Sequence, residues 1–394
     1  MSTALVLIGG RSAVPAISGI LQFLDDISKI KFLVCKGEEY EKLQRTAYSF
    51  IKDKKESIDF VPDRDVKVVD PYNFTQVLKS LTELLAGEEE VSFASLASAP
   101  QTMSIASYGF LQKKFPTATI FTVSTDQAII IPLKENEAPI PFQAKLSVED
   151  YIRACGHEIF KRKAEDSFTF QNQNQLKELV FYFAENIESV DSILHEIRQQ
   201  AASGGDSIKS SRKVSFSGDL INDLINKNNL VKPFVIKFLE ELQEHSLIEQ
   251  LDTSCDISFR VNPEQFSFLR GDWLELLVYL NAQDCKFDSV EPSIELSSYN
   301  GEIDLFCLYN SNPLICECKT GKFDKKEILK LRNIAEKLGE SYCLKILVVS
   351  ATEIPDEIEQ EAKNSRVKIF NGKDLINLPD LLKKEMENPE YTRR

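Results

Sequence analysis

Histidine, tryptophan and methionine are scarce in this chain: 3, 1 and 3 of its 394 residues. The three histidines, His157, His195 and His245, stand isolated along the chain, and none reads as catalytic. The eight cysteines, at 35, 155, 255, 285, 307, 316, 318 and 343, contain no CxxC pair, and several fall in apolar, strand-like runs. That pattern favours buried thiols in a reducing compartment over a disulfide framework. No run approaches the ~18 apolar residues of a membrane span. The opening Ala4-Leu5-Val6-Leu7-Ile8 is too short for a signal peptide and lacks a basic flank. A protein without a membrane segment, in the cytoplasm, is expected. Also missing are a GxGxxG fingerprint and an excess of positive charge: 47 Lys and Arg face 61 Asp and Glu, for a net −14. Such a chain does not coat nucleic acid along its whole surface. It can still cut nucleic acid where a cleft is locally basic and metal ions supply positive charge.

What is present is an ordered alternation. Over residues 1–150, short apolar runs (Ala4–Ile8, Lys31–Cys35, Lys67–Val69, Val91–Ala94, Ile120–Val123, Ala128–Leu133) alternate with amphipathic stretches such as Tyr40–Ile51, Phe74–Leu85 and Thr102–Gln112. This spacing predicts an α/β domain with a mostly parallel sheet covered on both faces. Ligands of such sheets sit beyond the carboxyl ends of the strands, which singles out the loops after Ile8 and Phe93. Residues 151–265 read as a connector of helices and polar links, including Ser203-Gly204-Gly205-Asp206-Ser207. Its order of elements from Pro233 to Asn262 is like a small winged-helix unit, though the helix lacks the basic face that DNA reading requires. Residues 266–394 form a second α/β unit, opened by a helix over Phe266–Leu280 that carries Trp273.

Chemistry concentrates in this last unit. Glu302-Ile303-Asp304-Leu305 is followed, after a turn at Asn310-Ser311-Asn312-Pro313, by Ile315-Cys316-Glu317-Cys318-Lys319-Thr320-Gly321. Residues two apart in a strand project from one face, so Glu317 and Lys319 point together. Antiparallel pairing across the hairpin brings Asp304 to them. Two carboxylates and a lysine are costly to bury as structure alone. Around a divalent cation they make sense, because carboxylates are hard oxygen ligands. The metal lowers the pKa of a bound water, and Lys319 orients or deprotonates that water. Cys316 and Cys318 should face the core, away from Glu317 and Lys319. After the motif, residues 319–337 carry seven Lys or Arg against three acids, which suits either a solvated helix face or contact with phosphate.

These residues resemble the PD-(D/E)XK nuclease superfamily. Leu269-Arg270-Gly271-Asp272-Trp273-Leu274-Glu275 looks like the GxWLE helix that begins the nuclease domain of CRISPR-associated ancillary nucleases, and "EIDL" and "ECKTG" continue that pattern. Ile303 stands at the position before the aspartate that gives the superfamily its proline. The resemblance implies a catalytic set of Asp304, Glu317, Lys319 and Glu275. It also implies Mn2+ or Mg2+ held by Asp304, Glu317 and the backbone carbonyl of Cys318. The N-terminal unit resembles the CRISPR-associated Rossmann-like (CARF) sensor domain, so the likeness spans sensor, connector and nuclease. It implies a homodimer binding cyclic oligoadenylate, tetra-adenylate by family analogy, across its two-fold axis. The binding residues would be Gly9, Gly10, Arg11 and Ser12 after the first strand, and Ser95, Ala97, Ser98, Gln101, Thr102 and Met103 around the fourth. The second loop has Ala, Ser and Pro where the family carries a Gly-rich, basic stretch. The expected activity is cleavage of single-stranded DNA or RNA, or nicking of duplex DNA, in type III CRISPR defence. The alternatives are a ligand-sensing DNA-binding transcriptional regulator and a ring nuclease that degrades its own activator.

Overall fold

A computed structural model of the chain describes residues 2–390 apart from 11, 126, 144, 203–207, 229, 255, 298, 300 and 339–342. Arg11, the Ser203–Ser207 link and Cys255 thus lie outside the described residues. The first domain is a seven-stranded sheet in the order β3-β2-β1-β4-β5-β6-β7. Its strands are β1 (Thr3–Ile8), β2 (Lys29–Cys35), β3 (Val66–Val69), β4 (Phe93–Ser98), β5 (Thr119–Ser124), β6 (Ile129–Pro132) and β7 (Ile140–Pro141). The first five run parallel, and β6 and β7 turn back antiparallel at the edge. All six residues of β1 are buried, as expected of a central strand with helices on both faces.

The fourth strand is displaced from its expected position over Val91–Ala94. It begins at Phe93 and continues through Ser95, Leu96, Ala97 and Ser98. Small and hydroxylated residues concealed it, because Ala and Ser give little hydrophobic signal. Val6 pairs with Ser95 and Ile8 with Ser98, so β4 carries one extra residue there. Such a bulge bends a strand and re-aims its side chains. Only Ala99 and Pro100 then separate β4 from the Gln101–Lys114 helix.

The connector is interwoven with the C-terminal unit. Strand β8 (Ile159–Arg162) joins the edge of a six-stranded sheet in the order β16-β15-β14-β13-β12-β8. The other members are β12 (Ser289–Leu296), β13 (Glu302–Tyr309), β14 (Asn312–Lys319), β15 (Leu344–Val349) and β16 (Lys368–Phe370). Helices Gln173–Glu185 and Ile187–Ala202 share one core with the Trp273–Asp284 helix; the Trp273 ring meets Phe183 edge-on at 5.5 Å. A small antiparallel sheet of β9 (Arg212–Phe216), β11 (Ile257–Val261) and β10 (Glu249–Asp252) packs with helices Gly218–Asn228 and Lys232–Glu244, the winged-helix-like part. Among the described residues no helix is long and apolar enough to cross a membrane.

The β13–β14 hairpin turns on Asn310 and Ser311 alone, both with positive φ (52° and 60°). Asn312 and Pro313 already pair within the ladder. A two-residue turn of this kind matches the right-handed twist of its strands. The hairpin tip docks on the first domain: Asn312 Nδ2 donates to the Thr125 carbonyl at 2.7 Å, and Ser18 Oγ lies 3.4 Å from Ser311 Oγ.

Gly9 closes β1 against its neighbours. A Cβ there would overlap the Cys35 sulfur and press on Pro100 Cδ at 2.7 Å. Gly9→Ala is therefore expected to destabilise the protein by about 1–3 kcal/mol through overpacking. Gly109→Ala, with open space around it, should not destabilise. Thermal melts of the two variants check the difference.

Candidate active site

The β13–β14 ladder runs from Tyr309–Asn312 to Leu305–Cys316 and ends there. Beyond it, Asp304 Oδ2 accepts the backbone N–H of Cys318 at 2.7 Å, so a side chain takes the place of the next ladder bond. Both carboxylates are deeply set: Asp304 is 5% exposed and Glu317 2%. Lys319 Nζ lies 2.7 Å from Glu317 Oε1. A second ammonium, Lys330 on the Lys325–Leu338 helix, bonds Glu317 Oε2 and stands 4.0 Å from Asp304 Oδ1. Two lysines thus compensate two buried acids.

Lys330 is a site residue that the sequence reading left among the basic residues of its helix. The signal available was its position eleven residues after Lys319, on a helix that returns over β14. The rest of that positive run is largely paired at the surface, as in Lys325–Glu357, Lys326–Asp324 and Arg332–Glu336. Pairs of this exposed kind stabilise little.

Burial, reinforced by the Glu317 charge, pushes the Asp304 carboxyl up to about 7, against the pull of Lys330 and Lys319. Glu275 is raised well above the carboxylate range, first by burial and then by Asp304, Asp272 and Glu302. Burial works against the Lys319 ammonium, yet Glu317 and Asp304 outweigh it and hold its pKa above the ordinary lysine value. A lysine held as an ammonium beside Glu317 and Asp304 can donate to water or phosphate and offset negative charge there. Cys316 and Cys318 sit in the core beside Leu305, with their thiols pushed well up by burial. Their expected orientation is the one observed.

The helix bearing Glu275 is not continuous. Pro263–Ser267 passes through a π-turn, Phe268–Asp272, into Trp273–Asp284. A π-turn leaves carbonyls free, and Thr320 Oγ1 donates to that of Arg270. A Cβ on Gly271 would stand 3.2 Å from the same Thr320 oxygen. The GxWLE segment and the residue after Lys319 are therefore in contact. Residues not anticipated from sequence brace this point from the connector. Arg198 donates to the Arg270 carbonyl at 3.3 Å and pairs with Asp191 at 3.4 Å. Ser350 Oγ donates to Asp191 at 3.1 Å. Gly321, at φ +75°, donates its N–H to Ser350 Oγ.

Glu275 also lines an open cleft of about 560 Å³, with Asp272, Ser293, Glu302, Arg270, and Lys161 and Lys163 from the edge strand and the turn that follows it. Lys163 is bound by Glu302 at 2.7 Å and Glu295 at 2.8 Å. Among the described residues no three His, Cys, Asp or Glu side chains form a metal cage. The donor set that fits a hard cation is the carboxylate pair Asp304 and Glu317, and the Lys330 ammonium between them shows that their oxygens face one position. Two carboxylates, with water and phosphate completing the shell, suit a small divalent ion.

At the other end of the chain, the tips of β1 and β4 adjoin. Ser98 Oγ donates to the Ser12 carbonyl at 3.3 Å, and a Cβ on Gly10 would stand 3.4 Å from the Ser98 carbonyl. Ala97 is half-buried, Gln101 is exposed and Thr102 half-exposed. The helix beginning at Gln101 has no side-chain cap, so its first amides face outward. Two expected binding residues are placed differently. Ser95 is fully buried within β4, and Met103 is in the core, its sulfur 3.6 Å from Cys35. Both belong to packing because β4 extends past the point where the loop was expected.

Asp304 supplies a pH test. Its folded-state pKa is raised above the ordinary value of 3.8, so between about pH 4 and 7 the folded state binds more protons than the unfolded chain. Stability from this group is present at low pH and is lost as pH rises through 7. Asp304→Asn should remove that component. Melts at pH 5 and pH 7.5 without divalent metal are expected to show a smaller fall in Tm for the variant than for the wild type; an equal fall contradicts it.

No curated protein matches the chain by sequence. Among solved structures, protein VC1899 from Vibrio cholerae superposes with a TM-score of 0.77 at 16% identity, covering 98% of each chain. Can2 from Sulfobacillus thermosulfidooxidans, solved in complex with cyclic tetra-adenylate, gives 0.63 at 18% identity over 98% of this chain and 99% of that one. The chain shares their fold from end to end. Residues 262–388 match the family described as "Card1-like, endonuclease domain", a segment that holds Glu275, Asp304, Glu317, Lys319 and Lys330. Residues 262–388 are thus similar to a Card1-like endonuclease domain, within a chain that shares the whole fold of VC1899 and Can2.

Proposed function

We propose that this protein is a metal-dependent PD-(D/E)XK nuclease of type III CRISPR defence, switched on by cyclic oligoadenylate at its N-terminal domain. The observation that carries the nuclease reading is the convergence of Asp304, Glu317 and Lys319 where the β13–β14 ladder opens. Asp304, Glu317 and the Cys318 carbonyl would hold Mg2+ or Mn2+, which supplies an acidified water and polarises the phosphodiester. Lys319 donates to the attacking water or a non-bridging oxygen. Glu275, its carboxyl pushed up by burial and by the neighbouring acids Asp304, Asp272 and Glu302, lines the cleft beside this site. Single-stranded nucleic acid, or a duplex nicked in one strand, is the proposed substrate.

For the N-terminal site, Gly9, Gly10, Ser12, Ala97, Ser98, Gln101 and Thr102 are the proposed contacts, with Arg11 joining them by its sequence position. Can2 binds cyclic tetra-adenylate; the shared fold supports the same class of activator here, bound across a homodimer axis. A two-fold ligand asks for a two-fold site. The transcriptional-regulator alternative is disfavoured by the Lys232–Glu244 helix, which sets Glu240, Glu241 and Glu244 against Lys232 and Lys237 and offers DNA no basic face.

Two measurements check this reading. Labelled single strands and supercoiled plasmid, incubated with Mn2+ and cyclic tetra-adenylate, should be cut by the wild type. Glu317→Gln should lose on the order of 10²–10³-fold or more in rate, the size of losing one preorganised electrostatic stabiliser, while its mass and fold persist. Cleavage by Glu317→Gln near the wild-type rate would remove the assignment.

The second concerns the sensor. Ala97→Leu, beside the bulge, should move the activation curve to about tenfold higher activator, or about 1.4 kcal/mol, with the rate restored at saturation. An unchanged curve removes these loops from the binding site, and a monomeric mass with activator present removes the dimer.

A further inference from the structure

On the metal-dependent reading just given, one contact works against the site it belongs to. The Lys330 ammonium bonds Glu317 Oε2 and stands 4.0 Å from Asp304 Oδ1, while Lys319 takes the other Glu317 oxygen. A divalent cation shared by these carboxylates needs the same lone pairs, at ~2.0–2.6 Å. It cannot coexist there with an ammonium that is itself within hydrogen-bonding distance, because the two positive charges would meet at close range in a poorly solvated place.

We propose that Lys330 is a built-in competitor for the divalent cation, and that the Lys325–Leu338 helix is the rod by which the N-terminal domain withdraws it.

The second half of the proposal follows from the far end of that helix. Eight residues on from Lys330, about 12 Å along the axis, the Leu338 carbonyl accepts from Tyr151 Oη at 2.6 Å and lies 3.6 Å from Cys155 Sγ. The Lys337 carbonyl is 3.2 Å from the His157 ring. Carbonyls in a last helical turn have no partner within the helix, so the grip is on the helix end itself. The same short segment holds the loop after β1. The Ala13 N–H donates to the Ala154 carbonyl at 3.1 Å, and Ser12 Oγ lies 3.7 Å from Cys155 Sγ. Ser12 in turn is bonded to Ser98 at the tip of β4. A contiguous set of contacts therefore runs from the two sensor loops, through residues 151–157, to the helix carrying Lys330. Shifts of about 1–2 Å in packed helices are a common switching motion, and a shift of that size separates Lys330 from Glu317.

The two parts are separable by Mn2+ binding to full-length protein, followed by electron paramagnetic resonance with and without cyclic tetra-adenylate. Lys330→Met keeps the stem and removes the charge; Lys330→Gln is read in its place should the first variant fail to fold. Without activator, the variant is expected to bind Mn2+ about tenfold more tightly than the wild type. Activator should tighten Mn2+ binding by the wild type and leave the variant nearly unchanged, since the two ligands are linked reciprocally. Equal or weaker Mn2+ binding by the variant overturns the competitor role, and shows Lys330 to be a support for the carboxylates. Equal tightening of both proteins by activator overturns the rod. Failure of wild type and variant alike to bind Mn2+ overturns the metal reading and the proposal with it.

Discussion

Two carboxylates buried side by side set the terms for the rest of this molecule. Removing an ionised carboxylate from water costs several kcal/mol even after relaxation, and Glu317 and Asp304 are almost wholly enclosed. Neighbours must return that cost, and they come from separate pieces of chain. Lys319 is on the same strand as Glu317, the Cys318 N–H binds Asp304 across the opened ladder, and Lys330 arrives from the following helix. The carboxylates can be charged together only when all three pieces are docked. The raised pKa of Asp304 records how incomplete the compensation is. Protonation, an ammonium and a divalent cation are three solutions to one electrostatic problem, and the site's chemistry depends on which is in place.

The reach of the sequence can be judged residue by residue. Asp304, Glu317 and Lys319 were legible because strand periodicity and one hairpin are enough to bring them together. The pairing of the GxWLE segment with Thr320 and Gly321 was visible as pattern, and the π-turn gives its physical reason, a freed Arg270 carbonyl that Thr320 satisfies. Lys330 was present in the sequence only as one cation among seven, since helical phase alone does not say which lysine faces a strand. Asp191, Arg198 and Ser350 could not be read at all, because they act through tertiary contacts that bridge 72 residues from Arg198 to Arg270 and 159 from Asp191 to Ser350. In the first domain, β4 was misplaced because Ala and Ser carry almost no hydrophobic signal. With the strand went two proposed contacts, Ser95 and Met103, now part of the core.

The parts are also less divisible than the order of elements suggests. Strand β8 precedes the matched endonuclease segment yet completes its sheet. The Ile187–Ala202 helix braces the turn ahead of the Glu275 helix, where Arg198 donates to the Arg270 carbonyl. One hydrophobic cluster contains Val6 and Phe32 of the first sheet together with Phe306 and Ile315 of the last and Leu331 of the Lys325–Leu338 helix. Close-packed interiors transmit small displacements because they cannot absorb them locally. On the proposed reading, an event at the tips of β1 and β4 has a shared core through which to act and does not depend on a flexible tether.

The cleft's own charge completes the picture. Three basic residues line it against five acids, with Lys163 already committed to Glu302 and Glu295. A phosphodiester approaching such walls meets net negative charge, and the chain as a whole, at −14, adds to the repulsion. On the proposed reading, positive charge for phosphate enters with the metal, which makes substrate binding and metal binding linked steps. The acidic walls and the buried carboxylate pair are distinct sets of residues, and the charge of both works against a polyanion until cations offset it.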